Sequence, residues 1–569
     1  MANPKRIFIG VAWPYVNDIF HLGNLAGAYL PPDIFARFHR LLGNDVLMVS
    51  GSDAHGTPIT LRAQKENVAP EEIANRYHEL NKKYLAQFRI DYDLYTTTAT
   101  KNHKEVTQGM FLKLLENGFI KILTTKQPYS EQSKTFLQDR YIQGECPHCH
   151  FKEARGDQCE NCGRSLDPVE LINPRSKIDD SPLVLKKTEN YFLDLTLLQD
   201  DIESWLKTKT TWRDWVKSEA LGWVKEGLLP RAITRDLDYG VSLPIEKIPK
   251  EKRIQNIESK VFYVWFEAVI GYLSAAVEYS KNPKNKKPEN YWEEFFYKKD
   301  AETYYFVGQD NLVFHTINWP AQLRGYDETI NLPTNVFVNK FLLLEGQKMS
   351  KSRGWFIETP YLLENYSVDA IRFYLALHMP ETKELNFTWQ EFYATTNNVL
   401  IATIGNFIHR TLTFYSKHFG NSVTFPDLDS YIVKEINGTF TTTRRKLENG
   451  EFKEALQDIV ELAAFGNKYL DTHQVWKEEE AKAKEHTINA LLIVDNLATL
   501  LYPFIPSSIE KLFDVLGKDK KFLKGAIGKN QWGYSSPDGL TISSTIEPLF
   551  KKLEPKNIEK ERERLKNSP

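Results

Sequence analysis

Three short segments near the start of the chain constrain the fold more than anything after them. Arg6–Ala12 (RIFIGVA) is an apolar run with β-branched residues, the pattern of a strand buried on both faces. A Pro-containing turn leads into His21–Arg40, which reads as a helix with Leu22, Leu25, Ala26 and Tyr29 along one face. Asp45–Ser50 (DVLMVS) is a second buried strand. Strand, helix and strand in that compass form a βαβ unit, which predicts an α/β fold with a doubly wound parallel sheet. Thr303–Gly308 (TYYFVG) and Asn335–Leu344 are further strand candidates.

Between the two groups of strands the chain is interrupted. The chain has 569 residues, too many for one core, and about two to four domains are expected. Residues 1–116 read as the first half of a sheet domain, 117–238 as an insertion, and 239–345 as the second half. Residues 346–388 form a loop and connecting region. Helical periodicity with few strand signals then marks a bundle over 389–550, followed by a charged tail at 551–569 that is expected to fray. Ile248–Lys260 and Lys281–Asn290, charged or rich in Pro and Lys, are expected to be surface loops.

All four cysteines lie in the insertion, as Cys146, Cys149, Cys159 and Cys162. Two Cys-x-x-Cys pairs joined by a short return loop can offer four thiolates to one ion in a tetrahedral site. Zinc is the favoured reading, with an iron–sulfur cluster or a decayed site as alternatives. No ligand is left over for chemistry, so the expected role is structural. Paired disulfides suit a reducing compartment poorly. That compartment is the cytoplasm in this reading, because neither a signal peptide nor an uncharged apolar stretch of membrane-spanning length is found. His148 and His150 are expected to be solvated. A net charge of −2 gives no global field for nucleic acid, so any such partner must be held by a local surface.

Two motifs carry chemistry. His21-Leu22-Gly23-Asn24 stands where the first strand hands over to the first helix, whose free N–H groups and dipole favour an anion. Gly23 lets a ligand approach the backbone, and His21 is expected to give a phosphate a charge-assisted hydrogen bond. Lys348-Met349-Ser350-Lys351-Ser352 follows the late strand, and its two lysines are placed to clamp a transferring phosphate. Each motif is weak alone; in this order, each after a strand, they are specific.

At these residues the chain resembles the class I aminoacyl-tRNA synthetases, whose signatures are HIGH and KMSKS. The second is matched letter for letter, and the first departs at Asn24. The methionine-specific branch is the nearest match, from about Arg6 to about Pro503, through "AWPYVN", "SDAHGTP", "ARGDQCENCG", "ITRDLDYG", "VFYVWFEAVIGYL", "KMSKSRG" and "GNKYLDTHQVW". The resemblance implies a Rossmann-like catalytic domain, a zinc-knuckle insertion and a helical anticodon-binding bundle. It implies L-methionine, ATP with Mg2+ and tRNA(Met) as partners, no membrane, and a monomer.

Residue by residue, it implies that Asp53 and the Ala12 and Trp13 backbone hold the methionine ammonium. Tyr15, Trp265, Ala268, Tyr272, Asn311 and His315 would wall the side-chain pocket, aromatic faces suiting a thioether. His21, Gly23, Asn24, Lys348, Ser350 and Lys351 would bind ATP, with Arg235 near the reacting carboxylate. Asn406, Arg410 and Trp476 would read the anticodon by hydrogen bonds and stacking.

Trp13 stands where relatives carry Leu, Val269 where they carry Pro, and Asn311 where the position is apolar. Ala402 replaces a family Asn, and Ser130 and Ser133 replace a second cysteine pair, so one zinc is expected. Plainer readings exist. Trp265, Tyr272 and Trp476 would be core, His315 a satisfied buried histidine, and Arg235 a partner of Asp236 or Asp238. At the level of function the rivals are a leucine, isoleucine, valine or cysteine synthetase, a plain nucleotidyltransferase, and a non-catalytic tRNA-binding relic. The insertion leaves little room for an editing domain, and His21, Asp53, Lys348 and Lys351 are intact.

Overall fold

The computed structural model describes residues 4–566 apart from 133, 138–140, 157–158, 160, 163–165, 167, 178, 352–353 and 426–427. Ser133 and Ser352 therefore lie outside the described residues. Strand β1 (Arg6–Val11) is followed by helix α1 (Leu30–Leu41), β2 (Asp45–Ser52), α2 (Pro70–Gln87), β3 (Leu94–Thr97) and α3 (Lys101–Glu116). The insertion opens and closes with a long antiparallel ribbon of β4 (Ile120–Ser130) and β5 (Leu183–Leu193), paired from Ile120–Leu193 to Ser130–Leu183. After it come α4 (Val264–Lys281), β6 (Ala301–Gly308) and β7 (Asn335–Asn339).

The main sheet is parallel, in the order β7-β6-β1-β2-β3. From β1 the chain winds one way through β2 and β3 and the other way through β6 and β7. The point of reversal lies between β1 and β6, and in such sheets the crevice at the carboxyl ends of the strands there is the ligand site. The strands are apolar because helices cover both faces: Ile7, Phe8, Ile9 and Val11 have no exposed surface.

Four expectations are corrected. The His21–Arg40 helix is not continuous. A helical turn at Leu22–Asn24 gives way to a π-helical stretch, Leu25–Tyr29, closed by Leu30 N–H donating to Leu25 O before α1 begins. Pro31 and Pro32 have no N–H for the carbonyls one turn back, so the turn widens there. Asn335–Leu344 is two strands: β7 ends at Asn339, and Leu342–Leu344 joins Gln347–Lys348 and Leu385–Phe387 in a small separate sheet. Within Ile248–Lys260, Ile248, Ile254 and Ile257 are core residues, and Lys260 is buried against Asp236 at 2.7 Å. The charged tail is docked, since helix Ile558–Lys566 buries Glu561 to accept hydrogen bonds from Tyr361 and Tyr366.

The ribbon carries the cysteine module at its tip, a three-stranded sheet with its own small core of Leu137, Tyr141, Ile142, Ala154, Leu166 and Leu171. Helices α5 (Asn406–Phe419), α6 (Ser430–Glu448), α7 (Phe452–His473) and α8 (Glu480–Leu501) form the bundle. From Thr487 to Leu501, α8 is buried on every side, as a central helix must be. The bundle is welded to α1 by a buried charge cluster. Asp33 accepts from Arg37 at 2.9 Å and Arg372 at 2.7 Å, and these reach Tyr502 Oη and the carbonyls of Pro503 and Phe504. Burial alone would raise Asp33, but the two guanidiniums outweigh it and hold it below the usual carboxylate range. Among the described residues no helix is long and apolar enough to cross a membrane.

Candidate active site

A cleft of about 300 Å3 opens at the carboxyl ends of β1, β6 and β7. Ala12, Trp13, His21, Gly23, Asn24, Asp310, Asn311 and Lys348 line it. The first helical turn is held by a reciprocal cap: Gly23 N–H donates to His21 Nδ1 at 3.1 Å, and His21 N–H to Asn24 Oδ1 at 3.1 Å. Burial, with the charge of Lys351 second, pushes His21 down to about 3. The imidazole is therefore neutral, with Nδ1 accepting and the proton on Nε2. A phosphate oxygen would meet the Nε2–H of this ring, a bond that the anion's own charge assists.

The Lys348–Lys351 loop folds over this turn. A side chain at Gly23 would press on the His21 ring and on Met349 Sδ, 3.3 Å away. Lys348 Nζ lies 4.0 Å from the Phe341 ring centroid. Lys351 turns aside, donating to Ile19 O and lying 3.6 Å from Asp18, and burial lowers it from the usual lysine range. Ser350 is fixed by paired backbone hydrogen bonds with Trp355.

The residues expected for the amino acid gather beside the cleft. Asp53 is 3 % exposed at the end of β2, its N–H donating to Pro14 O. Burial, then the nearby Glu267 charge, raise it well above the ordinary carboxylate value. Tyr272 Oη lies 2.7 Å from His315 Nε2, whose Nδ1 is 2.8 Å from Asn311 O. The carbonyl can only accept, so Nδ1 bears the hydrogen and Tyr272 donates to Nε2; burial holds His315 down to about 4. Trp265 stacks on Phe314 at 4.3 Å and meets Tyr15 edge-on at 5.8 Å. Ala268 is partly exposed on the same helix. Asn311 contributes its carbonyl to His315 while lining the first cleft.

Trp13 lies edge-on to Tyr272, wedged between two glycines. A methyl group at Gly271 would sit 2.8 Å from the indole, and one at Gly51 would overlap it. Arg235 donates to Thr234 O and lies over the Tyr263 ring at 4.2 Å. Asp236 is taken instead by Lys260 and Thr188, so the reading of Arg235 as its ion-pair partner does not hold. A second cleft of about 300 Å3, between the insertion ribbon and this pocket, is lined by Tyr15, Gln127, Asn190, Arg235, Tyr263 and Trp265.

On the bundle, Trp476 is 49 % exposed, which removes the core reading. The Arg410 guanidinium is 5.6 Å from its ring centroid and bonds Asp471 at 2.9 Å. Asn406 is exposed one turn earlier on α5. A surface pocket beside Trp476 also takes in His409, Phe414, Lys417 and His418, which sequence reasoning did not single out. In the insertion all four cysteine sulfurs lie within 4.8 Å of one another, and none is in a disulfide. Sulfur separations of 3.9 Å (Cys146–Cys162) and 3.6 Å (Cys149–Cys159) match the ~3.8 Å edge of a tetrahedron with ~2.3 Å Zn–S bonds. His150 is exposed and pairs with Glu145.

Also unforeseen were Asp310 at the cleft mouth and a buried set of His55, His103 and Glu267. One signal was available: Glu267 is the lone charge between Val264 and Val277 on an otherwise apolar helix.

A family model described as "tRNA synthetases class I (M)" matches residues 7–412. One for the "Anticodon-binding domain of tRNA ligase" matches residues 429–560, a span that begins after Asn406 and Arg410 and contains Trp476. The chain is 41% identical to a methionine--tRNA ligase of Thermomicrobium roseum, the alignment covering 99% of both. It is 43% identical to one from Dehalococcoides mccartyi, again over 99% of each. Its fold resembles that of Mycobacterium tuberculosis methionyl-tRNA synthetase bound by methionyl-adenylate, with a TM-score of 0.76, 21% identity, and 96% of this chain and 100% of that one covered.

Proposed function

Because the chain belongs to the methionine-specific class I tRNA synthetases, we infer that it activates L-methionine with ATP and then transfers the methionyl group to tRNA(Met). The observation that carries the reading at the level of residues is the closure of the Lys348–Lys351 loop over the His21–Asn24 turn, beside an aromatic pocket with a buried acid.

In the first step the methionine carboxylate attacks the α-phosphorus of ATP, which arrives as its magnesium complex, and pyrophosphate leaves. Asp53 pairs with the ammonium, whose positive charge draws the carboxyl back to its ionised form. Trp265, Tyr15 and Tyr272 wall the thioether, and the Trp13 indole closes the end of the pocket. His21 Nε2–H and Asn24 meet phosphate oxygens, and Lys348 and Lys351 take the charge that develops on the leaving pyrophosphate. Arg235 faces the reacting carboxylate from the second cleft.

In the second step the terminal ribose of the tRNA attacks the mixed anhydride and AMP leaves. The second cleft, sharing Tyr15 and Trp265 with the pocket, gives that ribose its approach. No covalent enzyme intermediate is needed; positioning and electrostatics supply the rate. The four cysteines hold one structural zinc that takes no part in either step. We read the chain as a cytoplasmic monomer, and a dimer in light scattering would overturn that.

Amino-acid-dependent ATP–pyrophosphate exchange, run with each of the twenty amino acids and no tRNA, tests the reading. Exchange with methionine alone is expected; exchange with another amino acid would overturn the pocket, and exchange with none would favour a relic. For the bundle, Trp476→Ala should weaken tRNA charging by about 1–3 kcal/mol and spare methionine activation. Loss of both would make Trp476 structural.

A further inference from the structure

Glu267 has no part in the two steps above, yet it sits buried beside the amino-acid pocket. Its Oε1 lies 3.0 Å from His55 Nδ1 and its Oε2 2.6 Å from His103 Nε2. His103 Nδ1 is 2.9 Å from Ser274 Oγ, whose hydroxyl donates to Gly271 O, so both His103 nitrogens face oxygens. His55 also faces Thr98 Oγ1 at 3.4 Å and the edge of the Tyr239 ring at 5.2 Å. Its backbone N–H donates to Asp53 Oδ1 at 3.3 Å. A continuous bridge therefore runs from the Asp53 carboxylate through His55 and Glu267 into α4. That helix carries Trp265, Ala268 and Tyr272. Burial would raise Glu267, but the two imidazoles outweigh it and bring the carboxyl to about 2, so the bridge keeps its charge.

A buried charge is costly unless fully partnered. An apolar residue at 267 would suit the helix, and the acid instead joins two parts of one binding site that are far apart in sequence. We propose that Glu267 is a positioning residue for the amino acid substrate, fixing the Asp53 carboxylate at a set distance from the aromatic walls on α4. Ammonium and side chain are then read by one rigid template, so an amino acid of the wrong length satisfies one end only. The inference rests on the reading of Asp53 as the ammonium partner.

The test is steady-state pyrophosphate exchange by the full chain with Glu267→Gln, which keeps the shape and removes the charge, and Glu267→Asp, which keeps the charge. Glu267→Gln is expected to raise the KM for methionine by about tenfold or more, with the KM for ATP and kcat changed less than about threefold. Glu267→Asp should recover part of the loss. His55→Asn should resemble Glu267→Gln, and His103→Asn, which leaves the Asp53 side of the bridge in place, should do less. Folded Glu267→Gln with a methionine KM within about twofold of the parent overturns the proposal, as do equal rises in both KM values. Should Glu267→Gln fail to fold, His55→Asn decides by the same criteria. Absence of methionine-dependent exchange in the unaltered chain would sink the functional reading itself and this inference with it.

Discussion

The side of the cleft proposed for the amino acid and the side proposed for phosphate hold their polar groups in opposite ways. On the amino-acid side the hydrogen bonds run inward: Tyr272 to His315, His315 to Asn311 O, and two histidines to Glu267. In the proposed reading these bonds stay in place when methionine enters. On the phosphate side, His21 Nδ1 accepts from Gly23 N–H, Asn24 Oδ1 accepts from His21 N–H, and Lys351 is spent on Ile19 O and Asp18. Lys351 must give up its resting contacts to reach a phosphate. In the proposed reading one wall is finished before substrate arrives, and the other is completed by it.

The largest expected effect tests the unfinished wall. Lys351→Ala should slow pyrophosphate exchange by about 10²–10³-fold, the usual loss when one charge that stabilises a transition state is removed, with little change in the KM for methionine. A loss confined to methionine KM would break the contrast. On the finished wall, Tyr272→Phe leaves His315 Nε2 without its donor, at about 1–3 kcal/mol. That should appear in the KM for methionine and in thermal stability, not in kcat at saturation.

A smaller effect comes from acid. His21 is held near 3 and His315 near 4, both below the ordinary imidazole value. The unfolded chain therefore takes up protons that the folded chain refuses. Stability is full above about pH 6.5 and falls below it by up to ~1.4 kcal/mol per pH unit for each imidazole. The decline runs to about pH 4 for His315 and pH 3 for His21. ATP should soften this acid decline in melting temperature more than methionine does, because phosphate favours a proton on His21 and a thioether offers no charge to His315. Equal protection by the two ligands would erase the distinction. The smallest effect is that of Asp18→Asn, which loosens the resting hold on Lys351 and should change exchange by no more than about threefold. A large loss would make Asp18 part of the working site.

Much of the sheet was legible because β1, β2 and β6 are buried on both faces and must be apolar throughout. The lysine loop was legible because its letters carry its chemistry. Where the sequence misled, local pattern lost to tertiary context. Two adjacent prolines widened a helical turn that apolar spacing alone showed as regular. Asn335–Leu344 is apolar along its length, yet Lys340 N–H donates to Pro380 O, and the chain leaves the main sheet there. The charge of the tail concealed Glu561, which two tyrosines need as an acceptor. The bridge of His55, His103 and Glu267 joins residues from three separate stretches, and no spacing rule brings them together.

The wedge of Trp13 between Gly51 and Gly271 also constrains how such a pocket can change by descent. At Gly271 the three nearest atoms to an added methyl all belong to the indole, whereas at Gly51 the Thr96 carbonyl blocks it as well. Trp13→Leu would thus open position 271 to alanine while leaving position 51 closed. The two steps are passable in one order: leucine first and alanine second, since alanine first collides with the ring.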